Sequence, residues 1–179
     1  MNLPNKITIF RVCMIPVFLV FMLVQGIPYG NYIATAVFAI ACASDALDGH
    51  IARKHNLVTN FGKFMDPIAD KLLVCSALIC FVELSYIPAW IVIVIIAREF
   101  IINGFRLIAS DNGVVIAASY WGKFKTIAQM IMCILLIVQL PFAWIDVVEQ
   151  VFIWLSLILT VVSLFEYVWK NRNVLKETK

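Results

Sequence analysis

Along this chain, apolar residues run in long blocks separated by short polar breaks. Six blocks reach the roughly 20 mostly apolar residues that a bilayer-spanning helix needs, at about 5–24, 31–54, 62–83, 87–109, 120–140 and 147–170. The breaks carry turn chemistry: Gly26, Pro28 and Gly30 in QGIPYGN, the segment ELSYIP, Asn112-Gly113 in ASDNGVV, and the segment QLPFAWID. The pattern predicts an all-α integral membrane protein with six transmembrane helices. It predicts one membrane domain over residues 1–179, without an internal repeat or a low-complexity linker.

Composition agrees with the pattern. Hydrophobic residues make up 63% and charged residues 14%, with a mean hydropathy of +0.97. Soluble domains average about 45–50% apolar and about 25% charged. The start, PNKITIFR, is too polar for a simple signal core and no small-residue cleavage site follows it, so the first block is expected to stay on the protein. The five cysteines lie scattered in apolar blocks without metal-ligand spacing and read as small buried hydrophobes.

The placement of charge says more than its net value of +3. Lys6 and Arg11 open the chain. Arg53, Lys54, Lys63 and Lys71 surround the second break, Arg98, Arg106, Lys123 and Lys125 the fourth, and Lys170, Arg172, Lys176 and Lys179 close the chain. The first, third and fifth breaks hold no Lys or Arg; Glu83, Asp146 and Glu149 sit there instead. Basic residues favour cytoplasmic loops, so both termini are expected in the cytoplasm. The basic tail WKNRNVLKETK reads as an anionic-lipid contact and topology anchor, with no nucleic-acid binding. Trp90, Trp144, Trp154 and Trp169 are expected near span ends, as aromatic belts.

Against this background, Ser44–Asp70 stands out, because it carries Asp45, Asp48, Asp66 and Asp70. Residues three and four apart share a helix face. Asp45, Asp48, Gly49 and Ala52 therefore form one stripe at the end of the second block, and Asp66 and Asp70 share a face at the start of the third. Pro67 suits a first helical turn. The short link RKHNLVTNF makes the two helices antiparallel neighbours, so all four carboxylates can converge near the cytoplasmic interface. Four anionic groups in a low dielectric either protonate or gather cations. Carboxylate oxygens suit Mg²⁺ or Mn²⁺, and two divalent ions would offset the four charges. Such metals favour phosphate oxygens, and Gly49 and Ala52 leave room for a bulky ligand. The residues alone thus point to a divalent-metal site for a diphosphate at a membrane surface. His50 and His55 flank it, and His50 is turned about 100° from Gly49, which favours a solvated or interfacial role over ligation.

The run Asp45-x2-Asp48-Gly49-x2-Ala52-Arg53-x8-Gly62-x3-Asp66-x3-Asp70 resembles the CDP-alcohol phosphotransferase motif at all eight of its positions. The six-block layout also fits that family. LPNKITIFRVCMIPVFL, the AREF of Ala97–Phe100 and the GKFKT of Gly122–Thr126 are similar to the bacterial branch that makes phosphatidylglycerophosphate. The resemblance implies condensation of CDP-diacylglycerol with sn-glycerol 3-phosphate, releasing CMP, in a homodimer of the bacterial inner (cytoplasmic) membrane whose active site faces the cytoplasm. It implies Asp45, Asp48, Asp66 and Asp70 as ligands of two metal ions, with Asp70 also the general base. It puts Gly49, Ala52 and Gly62 in the nucleotide pocket and Arg53 in the same motif.

A phosphate-bearing acceptor needs cations, and Arg98, Arg106, Lys123 and Lys125 are the candidates, with Arg106 and Lys123 favoured. Arg98 lies deepest, roughly 16 Å into the fourth block, where it serves the acceptor or pairs with Glu99 or a neighbouring helix. Lys123 and Lys125 are acceptor ligands or interface anchors. Asn5 and Thr8, at the start of the first block, contact the nucleotide or cap the helix. Competing readings are another acceptor (inositol phosphate or serine), an inactive scaffold, and a carboxylate-based cation transporter. Transporter sites usually lie at mid-membrane between inverted repeats, whereas these aspartates gather at one end.

Overall fold

A computed structural model describes the backbone of residues 3–24, 26–54, 60–111 and 119–172; the side chains of 3–6, 45–54, 60–67, 70, 110–111 and 143 lie outside that description. The described residues form six α-helices and no strand: α1 Leu3–Leu23, α2 Gly30–Lys54, α3 Asn60–Glu83, α4 Ala89–Asp111, α5 Tyr120–Val138 and α6 Ala143–Asn171. Each predicted block is a helix, with ends shifted by a few residues. The expected turn at Asn112-Gly113 lies outside the described residues. Pro67 does not open its helix as expected. α3 begins at Asn60, seven residues earlier, because the polar stretch before the apolar block is helical as well.

The breaks use left-handed backbone. Gly26 has φ 89° and Tyr29 φ 57° between α1 and α2. After α3, Ser85 has φ 61°, with Tyr86 N–H donating to Phe81 O at 2.8 Å and Ser85 N–H to Val82 O at 3.0 Å. Those paired bonds satisfy carbonyls that would otherwise be orphaned at the helix end. Gln139, φ 50°, follows α5.

The helices fall into two compact units. In the first, α1 packs on α2 and α3, and α2 touches α3. α1 contributes Thr8, Arg11, Ile15, Phe18 and Met22, all buried at alternating spacings of three and four. α2 presents Ala34, Phe38 and Ala41, and α3 presents Ala69, Leu73, Ala77 and Phe81. The alanines allow close approach of backbones, and the rings of Phe18 and Phe38 fill the space between at 5.9 Å. Pro16 sits inside α1, where it removes one backbone donor.

In the second unit α4 packs on α6. The buried face of α6 mixes Ile145, Ile153 and Leu157 with Ser156, Thr160, Ser163 and Tyr167, while its exposed face carries Val147, Val151, Trp154, Ile158 and Phe165. A helix more polar inside than outside is the inverse of a soluble amphipathic helix. Among the described residues, Tyr120–Val138 and Trp144–Asn171 are long and apolar enough to cross a membrane. Trp90, Trp144 and Trp169 lie near helix ends and are exposed, as expected. Trp154 does not: it lies mid-helix in α6, 6.1 Å from Trp90, so it packs against a ring on α4.

Candidate active site

The first unit carries the carboxylates. On α2 the buried positions 34, 38 and 41 continue in helical register to Asp45, Asp48 and Ala52; on α3, positions 77 and 73 run back to Asp70 and Asp66. Both aspartate pairs thus lie in register with the packed faces of their helices. Thr8 stands fifteen residues before the end of α1, and Asp45 fifteen after the start of α2, so each lies about 22 Å along its helix from the turn that joins them. Residues 55–59 between α2 and α3 keep the aspartate-bearing ends of those helices within a short reach of each other. Topology therefore gathers Asn5, Thr8, Asp45, Asp48, Gly49, Ala52, Arg53, Gly62, Asp66 and Asp70 at one end of this unit. Of these, Thr8 is the one whose side chain is described, and it is fully buried. The side chains of the other nine lie outside the described residues, as do those of His50 and His55.

The donor set fits divalent metal: four carboxylates, all hard oxygen donors, in two one-turn pairs. Among the described residues no group of three or more His, Cys, Asp or Glu is placed to hold a metal. Arg11, one turn on from Thr8, is 0% exposed. Its charge reads in the sequence as an orientation signal, yet its guanidinium lies inside the packed unit that bears the aspartates. The stripe Thr8, Arg11, Ile15, Phe18 is the signal that finds it, because an arginine in register with a buried apolar face is seldom on the surface.

The second unit divides the four basic candidates into two kinds. Arg98 and Lys125 are 7% and 2% exposed. Arg98 Nε donates to Ser163 Oγ at 3.2 Å and Nη1 to Glu99 Oε1 at 2.9 Å. Lys125 Nζ donates to the same Glu99 oxygen. Gly122 makes room for this: a Cβ there would stand 3.3 Å from Arg98 Nη2 and 3.3 Å from Ser119 Oγ, which accepts from Gly122 N–H at the start of α5. Arg106 and Lys123 are exposed, each against a tyrosine ring. The Arg106 guanidinium lies 6.0 Å from the centre of Tyr167, and Lys123 Nζ lies 5.4 Å from that of Tyr120. Of the two readings of Arg98, the structure shows the pairing with Glu99, together with a bond to Ser163 on a neighbouring helix. That Glu99 also holds Lys125 shows only in three dimensions.

The pattern that defines CDP-alcohol phosphatidyltransferases matches residues 1–162. The chain belongs to that family. The match spans both the aspartate helices and the Arg98–Glu99–Lys125 cluster. Among curated members, the CDP-diacylglycerol–glycerol-3-phosphate 3-phosphatidyltransferase of Bacillus subtilis (strain 168) is 46% identical, with 98% of this chain and 97% of that protein aligned. The protein of the same name from Rickettsia bellii is 35% identical, with 93% of each chain aligned. The one from Haemophilus influenzae is 37% identical over 93% of this chain and 91% of its own.

Proposed function

We propose that this family member transfers the phosphatidyl group of CDP-diacylglycerol to sn-glycerol 3-phosphate, giving phosphatidylglycerophosphate and CMP. The observation that carries the reading is the register of the four aspartates at one end of the first unit, in a chain whose relatives bear that reaction's name. Asp45, Asp48, Asp66 and Asp70 would hold two divalent cations, Mg²⁺ or Mn²⁺. When bound, these cations supply charge stabilisation at the diphosphate.

The chain's own groups do the rest. Asp70 accepts the proton of the acceptor hydroxyl as that oxygen forms its bond to the phosphatidyl phosphorus. The bond from this phosphorus to the oxygen of the cytidylate phosphate breaks, and CMP departs with the electron pair. Gly49, Ala52 and Gly62 leave space for the nucleotide, with Arg53, Asn5 and Thr8 beside it. Arg106 and Lys123, exposed and free of a carboxylate partner among the described residues, hold the acceptor phosphate. Arg98 and Lys125, paired with Glu99, brace α4 and α5, the helices that carry Arg106 and Lys123. The chain acts as one membrane domain, a homodimer with six spans in the bacterial inner membrane, both termini and the active site on the cytoplasmic side. The inverted polarity of α6 supports its embedding.

The test is CMP release by purified protein in mixed micelles of CDP-diacylglycerol, with and without Mg²⁺ or Mn²⁺. Glycerol 3-phosphate, inositol phosphate and serine are offered in turn. Metal-dependent release with glycerol 3-phosphate alone is expected. Release with a different alcohol overturns the acceptor, and release in the presence of a chelator overturns the role of the aspartates. Metal flux into liposomes without CMP would favour transport instead.

A further inference from the structure

We propose that the Tyr167 hydroxyl is a further acceptor-binding group, donating a hydrogen bond to the phosphate of glycerol 3-phosphate beside Arg106. The inference rests on the reading of Arg106 given above. Tyr167 is 3% exposed, and its hydroxyl is buried without a hydrogen-bond partner among the described residues. Buried tyrosine hydroxyls are normally satisfied, so one left open marks a place prepared for a polar group that arrives later. The ring is not free to turn away. Phe105 meets it edge-on at 6.2 Å and 90°, and the Arg106 guanidinium lies 6.0 Å from its centre.

The residue before it, Glu166, is engaged: its carboxylate accepts from Lys170 Nζ at 2.6 Å and is bonded by Ser119 as well. Of the two, only the phenol is a donor, and only a donor suits a phosphate oxygen. A carboxylate there would repel the phosphate and suits a hydroxyl instead, so the assignment is made for Tyr167 alone.

Tyr167→Phe removes the hydroxyl and nothing else. The KM for glycerol 3-phosphate is expected to rise about tenfold, which corresponds to about 1.4 kcal/mol, with the KM for CDP-diacylglycerol unchanged. The melting temperature in detergent should hold or rise, since the lost group has no partner among the described residues. A fall in melting temperature with an unchanged KM would mean that the hydroxyl only braces the fold, and overturns the proposal. Arg106→Gln is the companion variant. A raised KM in Arg106→Gln with none in Tyr167→Phe overturns this inference and leaves the reading of Arg106 standing. An unchanged KM in both removes that reading and this inference with it.

Discussion

The two units carry their charge on different frameworks. In the second, the buried charges are matched within the unit. Glu99 holds Arg98 and Lys125 through one oxygen, and Ser163 accepts from Arg98 Nε. In the first, four aspartates fall in register with the packed faces of α2 and α3, and the fully buried cation described there is Arg11. A carboxylate shared by two buried cations is a structural group. We propose the aspartates of the first unit for metal and a diphosphate, and the exposed Arg106 and Lys123 of the second for an anion.

The sharpest way to break this contrast is to remove one charge from each unit. Asp70→Asn should lower CMP release by about 10²- to 10⁴-fold, the range that a general base supplies, while calorimetry still detects weakened Mn²⁺ binding. Turnover at the level of the unaltered protein would remove Asp70 as the base. In the second unit Glu99→Gln strands two buried cations. Loss of one partner from a buried pair costs about 3 to 5 kcal/mol, so the variant should show a clearly lowered melting temperature in detergent. Adding Lys125→Met to Glu99→Gln should recover part of it. A Glu99→Gln protein as stable as the parent would mean that this cluster is not matched from within. Chelation separates the units again: it should stop turnover, and the pairing within the second unit needs no metal.

Much of this was legible in the sequence, for a physical reason. Apolar blocks of spanning length have one helical solution, so all six helices and most of their ends follow from hydropathy alone. The aspartate stripe was legible too, because its spacing is local and helical geometry turns spacing into a shared face. The start of α3 was not: hydropathy marks where a helix becomes apolar, and Asn60–Phe64 is helical before that point. The pairing of Arg98 with Glu99 was legible because the two are adjacent, whereas the second cation on Glu99 was not, since Lys125 is 26 residues away on another helix. The burial of Arg11 was not legible, because a basic residue near a terminus and a basic residue in a buried stripe look alike until α2 and α3 are packed on α1.

Gly122 gives a smaller effect on the same comparison. A Cβ at this position meets Arg98 Nη2 and Ser119 Oγ, both at 3.3 Å. Gly122→Ala therefore presses on Arg98 without removing any charge. Overpacking of this kind costs about 1 to 3 kcal/mol, less than Glu99→Gln, and the alanine's better helix propensity offsets part of it. A melting temperature between those of the parent and Glu99→Gln is expected. A drop as large as that of Glu99→Gln would show that the fit around Arg98, rather than the matched charge, holds the cluster.

The smallest effect is expected where charge is matched on the surface. Lys170 and Glu166 form an i,i+4 pair on α6 at 2.6 Å, with the lysine side chain 65% exposed. Water already solvates that ammonium, and salt screens what attraction remains, so pairs of this kind contribute little. Lys170→Ala should leave the melting temperature within measurement error at physiological salt. The pair lies on the same helix as Ser163, which joins the buried cluster. The two substitutions thus compare an exposed lysine–glutamate pair with a buried one in a single unit. If Lys170→Ala destabilised the protein as much as Glu99→Gln does, burial would not be what separates the two pairs, and the stability assigned to the Glu99 cluster would lose its physical basis.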